Sequence, residues 1–161
     1  MMNETIKHKG TWYIQEWDTG TEPTDPDEIL KAYREGKGRK IDNVITNVGL
    51  IEMAKRNIGT SSSDNNKILV GASATPTPMA SQTALTTKTG ERSVTSRTLQ
   101  GTTERYLTTI TRGHVGSNKW IGEMGLAASS ILISRVIVNP RFQLAENKTY
   151  TLMSLMTHEA V

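Results

Sequence analysis

The chain has no cysteine, so imidazole, carboxylate and hydroxyl groups are the first side chains to weigh for proton or metal chemistry. That absence excludes disulfides, thiolate metal sites and cysteine nucleophiles. There are three histidines, His8, His114 and His158. Imidazole suits proton transfer near neutral pH and the binding of transition metals. Their spacing supports neither use, since none has a second histidine at metal-ligand spacing in sequence. His8 lies in a polar opening stretch, His114 in the turn-like HVGSN, and His158 beside Glu159. Carboxylates are sparse after residue 90: Glu91, Glu104, Glu123, Glu146 and Glu159. Glu104 has Arg105 and Arg112 nearby, and surface pairs of that kind contribute little. Glu123, set between Gly122 and Gly125, is the most conspicuous acid. It reads either as a buried acid in a cleft or as a carboxylate that bonds a turn or pairs with an arginine, and the second is expected. Asp64 stands alone in its loop, so no calcium loop is expected. GxSxG, GxGxxG and GxxxxGK[ST] patterns are all missing. No enzyme activity, cofactor or metal follows from these residues.

The elements that would position such groups sit in a chain of 161 residues, about one domain. Hydrophobic residues make up 35% and aromatics 5%, and mean hydropathy is −0.43. Apolar residues still come in organised runs, so disorder throughout is not expected. The 23 threonines favour strands and turns over helices. No apolar run approaches the ~20 residues of a membrane helix. The start MMNETIKHKG lacks a hydrophobic region, so no secretory leader is expected. Net charge is +3. Residues 1–40 hold 8 acidic and 7 basic side chains, and residues 41–161 hold 8 and 12. Beyond residue 60 the basic side chains are spread singly, which argues against a nucleic-acid surface.

The sequence divides near residue 40. Residues 1–40 read as an extended N-terminal arm. GTWYIQEW (10–17) forms one strand, with Trp12 and Ile14 on one face and Tyr13 and Trp17 on the other. Asp25 as N-cap, Pro26 at the first helical position and Glu28 start a short helix over about 26–35, with Ile29, Leu30 and Tyr33 as its apolar side and Gly36 as its stop. GKGRK then reads as flexible. The arm either folds back on the main domain or reaches a neighbour. In the second reading Trp12, Tyr13, Ile14, Trp17, Ile29, Leu30 and Tyr33 are the partner-binding side chains.

Residues 41–161 begin with a helix in ITNVGLIEMAKRNIG, capped by Thr46 or Asn47, with Leu50, Ile51, Ala54 and Ile58 as its apolar spacing. Strands follow at 67–72, 91–99, 102–113, 118–126, 131–138 (ended by Asn139–Pro140) and 148–159, with an extended Pro-rich crossing at ATPTPMASQTAL. Gly122 and Gly125 mark a bulge or a close backbone approach. The expected fold is mainly β: an antiparallel sandwich or jelly-roll-like domain with one or two short helices and the N-terminal arm.

The order of motifs resembles small structural proteins of tailed bacteriophages. NVITNVGLIEMAKR (43–56), ILVGASATPTPMASQTAL, ERSVTSRTL, WIGEMGL and ILISRVIV occur in the same succession, covering about 43–157. Ala127 and Ala128 depart from the pattern, in which an aromatic or long apolar residue follows Gly-Leu. The resemblance implies a structural role for Glu123, Gly125 and Leu126, with Arg135 as the partner of Glu123. It implies a virion component, a capsid decoration (cement) protein first and a tail, collar or fibre-associated part second. It further implies a homo-oligomer, a trimer by analogy, with other virion proteins such as the major capsid or tail protein as partners. A small carbohydrate-binding module is the third reading, resting on Trp120 alone.

Overall fold

The computed structural model describes residues 6–75 and 77–160; the readings for residues 1–5, Pro76 and Val161 lie outside the described residues. Nine strands and two helices run in the order β1 (Ile6–Asp18), α1 (Pro26–Arg34), β2 (Arg39–Ile45), α2 (Asn47–Asn57), β3 (Lys67–Gly71), β4 (Lys88–Ser93), β5 (Ser96–Gln100), β6 (Thr103–Ile110), β7 (Trp120–Ala128), β8 (Ile131–Gln143) and β9 (Lys148–Ala160). They form one antiparallel sheet in the order β4-β3-β7-β8-β2-β1-β9-β6-β5. The sheet curls. Its two edge strands, β4 and β5, are separated only by Val94 and Thr95. The Thr95 amide donates to the Leu107 carbonyl at 2.9 Å, and the Thr108 hydroxyl to the Ser93 carbonyl at 2.7 Å. The inner face encloses a core in which Trp12, Tyr106, Tyr150 and Leu152 meet Ile68, Val70, Met124 and Leu126.

The N-terminal segment is not an arm. β1 lies inside the sheet, paired with β2 on one side and with β9 on the other, from Ile6 opposite Ala160 to Asp18 opposite Lys148. The fold-back reading is therefore what the structure shows, and the sheet runs across residue 40 without a break. The physical reason is in the alternation of GTWYIQEW. Both faces of this strand are buried, one by the core and one by α1. Trp12 is 0% exposed within the core, where a tryptophan contributes on the order of 3–5 kcal/mol against truncation.

α1 starts as its cap residues dictate. The Asp25 carboxylate accepts the Asp27 amide at 2.9 Å, Pro26 opens the helix, and Gly36 with φ of 97° follows its end. Ile29, Leu30 and Tyr33 cover Tyr13, Leu107 and Met153 on the outer face of the sheet. Gln15 Nε2 donates to the Ile29 carbonyl at 2.8 Å, and Arg105 forms an ion pair with Asp27.

Three further expectations are corrected. GKGRK leads into β2, because Arg39 to Ile45 fills the gap between β1 and β8. The run 91–99 bends into two strands at Val94–Thr95. β8 continues past Asn139–Pro140 to Gln143; β7 pairs Ile121 with Phe142 and Glu123 with Ile137, so Pro140 lies in the bulged excess where no ladder bond needs its missing N–H.

Candidate functional site

β7 is buried on both faces from Ile121 to Ala128. One face meets the core and the other is crossed by the Pro-rich segment. A Cβ on Gly122 would lie 2.7 Å from the Ala72 carbonyl oxygen, and one on Gly71 would lie 2.4 Å from Glu123 Oε1, so this crossing requires both glycines. Glu123 and Arg135 are both fully buried and form an ion pair, with Arg135 Nη2 2.7 Å and Nε 2.9 Å from Glu123 Oε2. Glu123 also accepts the amides of Thr86 at 3.0 Å and Thr87 at 2.6 Å. Arg135 donates to Gln82 Oε1 at 3.2 Å and to the Thr86 hydroxyl at 3.3 Å. Satisfying every charge in this way makes burial tolerable. The pair anchors the irregular crossing to the sheet. Gly125 and Leu126 are buried on the same strand, with Gly125 against Leu132 and Leu85. These four residues hold the fold and open to no cleft.

A cleft of about 440 Å³ lies elsewhere. α2 supplies Met53, Arg56 and Asn57, the following loop Ser63 and Asp64, and β5 Arg97 and Leu99. His8 of β1, Glu104 of β6 and His158 of β9 complete it. Its polar groups bond one another. Arg56 donates to the Ser63 hydroxyl at 3.1 Å and to Asn65 Oδ1 at 2.8 Å, and Asn65 Nδ2 donates to the Tyr106 hydroxyl at 3.1 Å. Glu52 accepts the hydroxyls of Ser61 and Ser63, which holds its carboxyl below the usual range. Arg97 pairs with Asp64, lies 3.9 Å from Glu104, and sits over the Tyr106 ring at 5.6 Å. Burial pushes the Tyr106 phenol well up, so it stays a neutral hydrogen-bonding group.

His8 and His158 stand directly opposite one another across β1 and β9. Their Nδ1 atoms lie 2.7 Å apart, and His158 Nε2 lies 2.8 Å from Glu104 Oε2. With both rings neutral, Nε2–H of His158 donates to the carboxylate and its Nδ1 accepts from Nδ1–H of His8. Burial, and then the His158 ring, hold His8 below the ordinary histidine value. This trio is a proton-sharing chain, and the neutral Tyr106 phenol bonds its Glu104 end. Among the described residues the hydroxyl that bonds a histidine is Thr111, 3.2 Å from His114 Nδ1, and that contact closes a turn.

The residues expected to reach a partner lie within the fold. Trp12, Tyr13, Ile14 and Ile29 are buried, and Leu30 and Tyr33 are half-buried on the inner side of α1. Trp17 is half-buried, donating to the Thr151 hydroxyl at 3.2 Å, with Lys37 Nζ 4.0 Å over its ring. Trp120 is 37% exposed with the Arg141 guanidinium 4.8 Å from its ring centre.

One open apolar surface belongs to α2 and its C-cap. Leu50, Ile51 and Ile58 are 39%, 55% and 76% exposed, and Ala54 lies among them. At 100° per residue these four positions form one stripe about 100° wide. Their spacing predicts an inward face, but Gly49, Glu52 and Met53 face inward instead. The reason is a close approach: a Cβ on Gly49 would lie 2.5 Å from the Ile133 carbonyl oxygen. Leu99, 69% exposed, lies across the cleft from this helix. No protein family, curated protein or solved structure matches the chain.

Proposed function

We propose that the chain is a non-enzymatic structural component of a tailed-phage virion, a capsid decoration protein first and a tail, collar or fibre-associated part second. The exposed apolar stripe of α2 carries this reading. Isolated exposed apolar residues are ordinary, but a helical stripe of them is a surface suited to assembly. The ordered resemblance over 43–157 supplies the class of assembly. Attachment moves from residues 1–40 to α2, because Trp12, Ile14 and Ile29 are held in the core. The curled sheet is compatible with a sandwich-type domain whose two halves face one another across the shared core. A homo-oligomer is the expected assembly unit, and a capsid or tail protein the expected partner.

Immunogold labelling of purified virions tests the reading. Label on heads supports decoration, and label on tails supports the second placement. Particles free of label overturn both. Light scattering of the purified chain beside Ile51→Lys/Ile58→Lys tests the surface itself: an oligomer lost in the double variant is expected, and an unchanged mass sinks the role of α2.

A further inference from the structure

We propose that His8 and His158 form a two-nitrogen chelate for a borderline transition-metal ion of the zinc or nickel class, with Glu104 as its orienting carboxylate. Three observations carry this. The two imidazoles are opposed in register, with Nδ1 aimed at Nδ1 across 2.7 Å. The far nitrogen of one ring meets a carboxylate oxygen at 2.8 Å. Histidines that bind metal through one nitrogen characteristically donate the other N–H to a carboxylate, which fixes the ring and raises its basicity. The pair also borders the cleft, which has room for water on the remaining coordination positions.

The geometry needs little adjustment. Metal–nitrogen bonds of about 2.0–2.1 Å at tetrahedral angles set two nitrogens about 3.4 Å apart. An opening of roughly 0.7 Å is therefore enough, and His8, half-buried near the end of β1, can supply it by ring rotation. The ion replaces the proton shared between the two Nδ1 atoms. His8 then carries its proton on Nε2, so the neutral pair binds without net proton release. The donors select the metal class. Imidazole suits zinc, nickel and copper, whereas magnesium and calcium require clustered oxygens. Here the carboxylates lining the cleft, Asp64 and Glu104, are engaged by Arg97 and His158. Among the described residues no group of three or more His, Cys, Asp or Glu side chains converges as a metal site, so the chelate rests on two nitrogens and water. Its effect is to join β1 to β9 at the mouth of the cleft.

The test uses the full chain without a histidine tag, titrated calorimetrically with Zn²⁺ and Ni²⁺, with Mg²⁺ as control. One ion per chain is expected, with no Mg²⁺ response. His8→Ala and His158→Ala should each weaken binding at least tenfold, Glu104→Gln about tenfold, and His114→Ala not at all. Nitrogen-15 shifts of the wild-type imidazoles provide a readout that needs no variant. Zn²⁺ should move Nδ1 of His8 and His158 and leave His114 unchanged. Binding that survives loss of either histidine overturns the proposal. So do shifts confined to His114, or no binding of Zn²⁺ and Ni²⁺ at millimolar concentration.

Discussion

The two helices are built from similar materials and used in opposite ways. α1 and α2 each have a polar N-cap, Asp25 and Thr46, and an apolar stripe at helical spacing. α1 turns its stripe inward, and Ile29 is completely buried against the outer face of the sheet. α2 turns Leu50, Ile51 and Ile58 outward and meets β8 through Gly49, with its backbone close to Ile133. α1 is thus held by apolar area, and α2 by backbone proximity, by Met53 and by the bonds of Thr46, whose hydroxyl accepts from the Gly49 amide at 3.0 Å. An apolar stripe therefore locates a helix without saying which way it faces. Direction is decided by what the partner strand can accommodate, and on β8 that is a glycine.

The strongest challenge to this contrast is Ile29→Ala. It should lower unfolding free energy by about 3 kcal/mol, because a fully buried apolar side chain is removed. A denaturant midpoint matching wild type would show that α1 is not held by its apolar face. Gly49→Ala should cost about 2 kcal/mol even though alanine is the better helix former, since its Cβ meets backbone and not a flexible side chain. A stabilised Gly49→Ala in chemical denaturation would mean that α2 is free to lift from β8. Asp25→Ala should cost about 1 kcal/mol through the lost cap bond, visible as a lower thermal midpoint. The smallest effect belongs to Ile58→Lys, a change within about 0.5 kcal/mol at a 76% exposed position. A loss well above that in the isolated chain would place Ile58 in an intramolecular contact and remove the contrast.

Much of the fold was legible where local chemistry decides it. Asp25, Pro26 and Gly36 fixed α1 to within a residue or two, and the β-branched run ILISRVIV located β8. β2 was hidden because its entry, GKGRK, resembles a flexible linker, and only the vacancy between β1 and β8 makes Arg39–Ile45 a strand. The place of residues 10–17 inside the sheet is hidden for a related reason. A strand with aromatics on both faces reads as lacking a buried side, whereas Trp12 and Tyr13 are covered by two different layers. The pairing of Glu123 with Arg135 is what the resemblance implies, and the neighbouring strands β7 and β8 carry it. The histidine pair was not. His8 and His158 are 150 positions apart, and no spacing rule spans a gap that only the register of β1 and β9 closes.

That same register affects how the molecule is made. β1 needs β9 along its whole length, from Ile6 opposite Ala160 to Asp18 opposite Lys148. About 130 residues separate the two strands, and at about 5–20 residues per second a ribosome takes roughly 7–25 s to supply them. Throughout that interval one edge of the strand carrying Trp12 has no neighbour and offers its amides and carbonyls to any passing chain. Until β9 emerges that edge is open to pairing with another chain, and crowded synthesis of many copies is the condition under which it is most exposed.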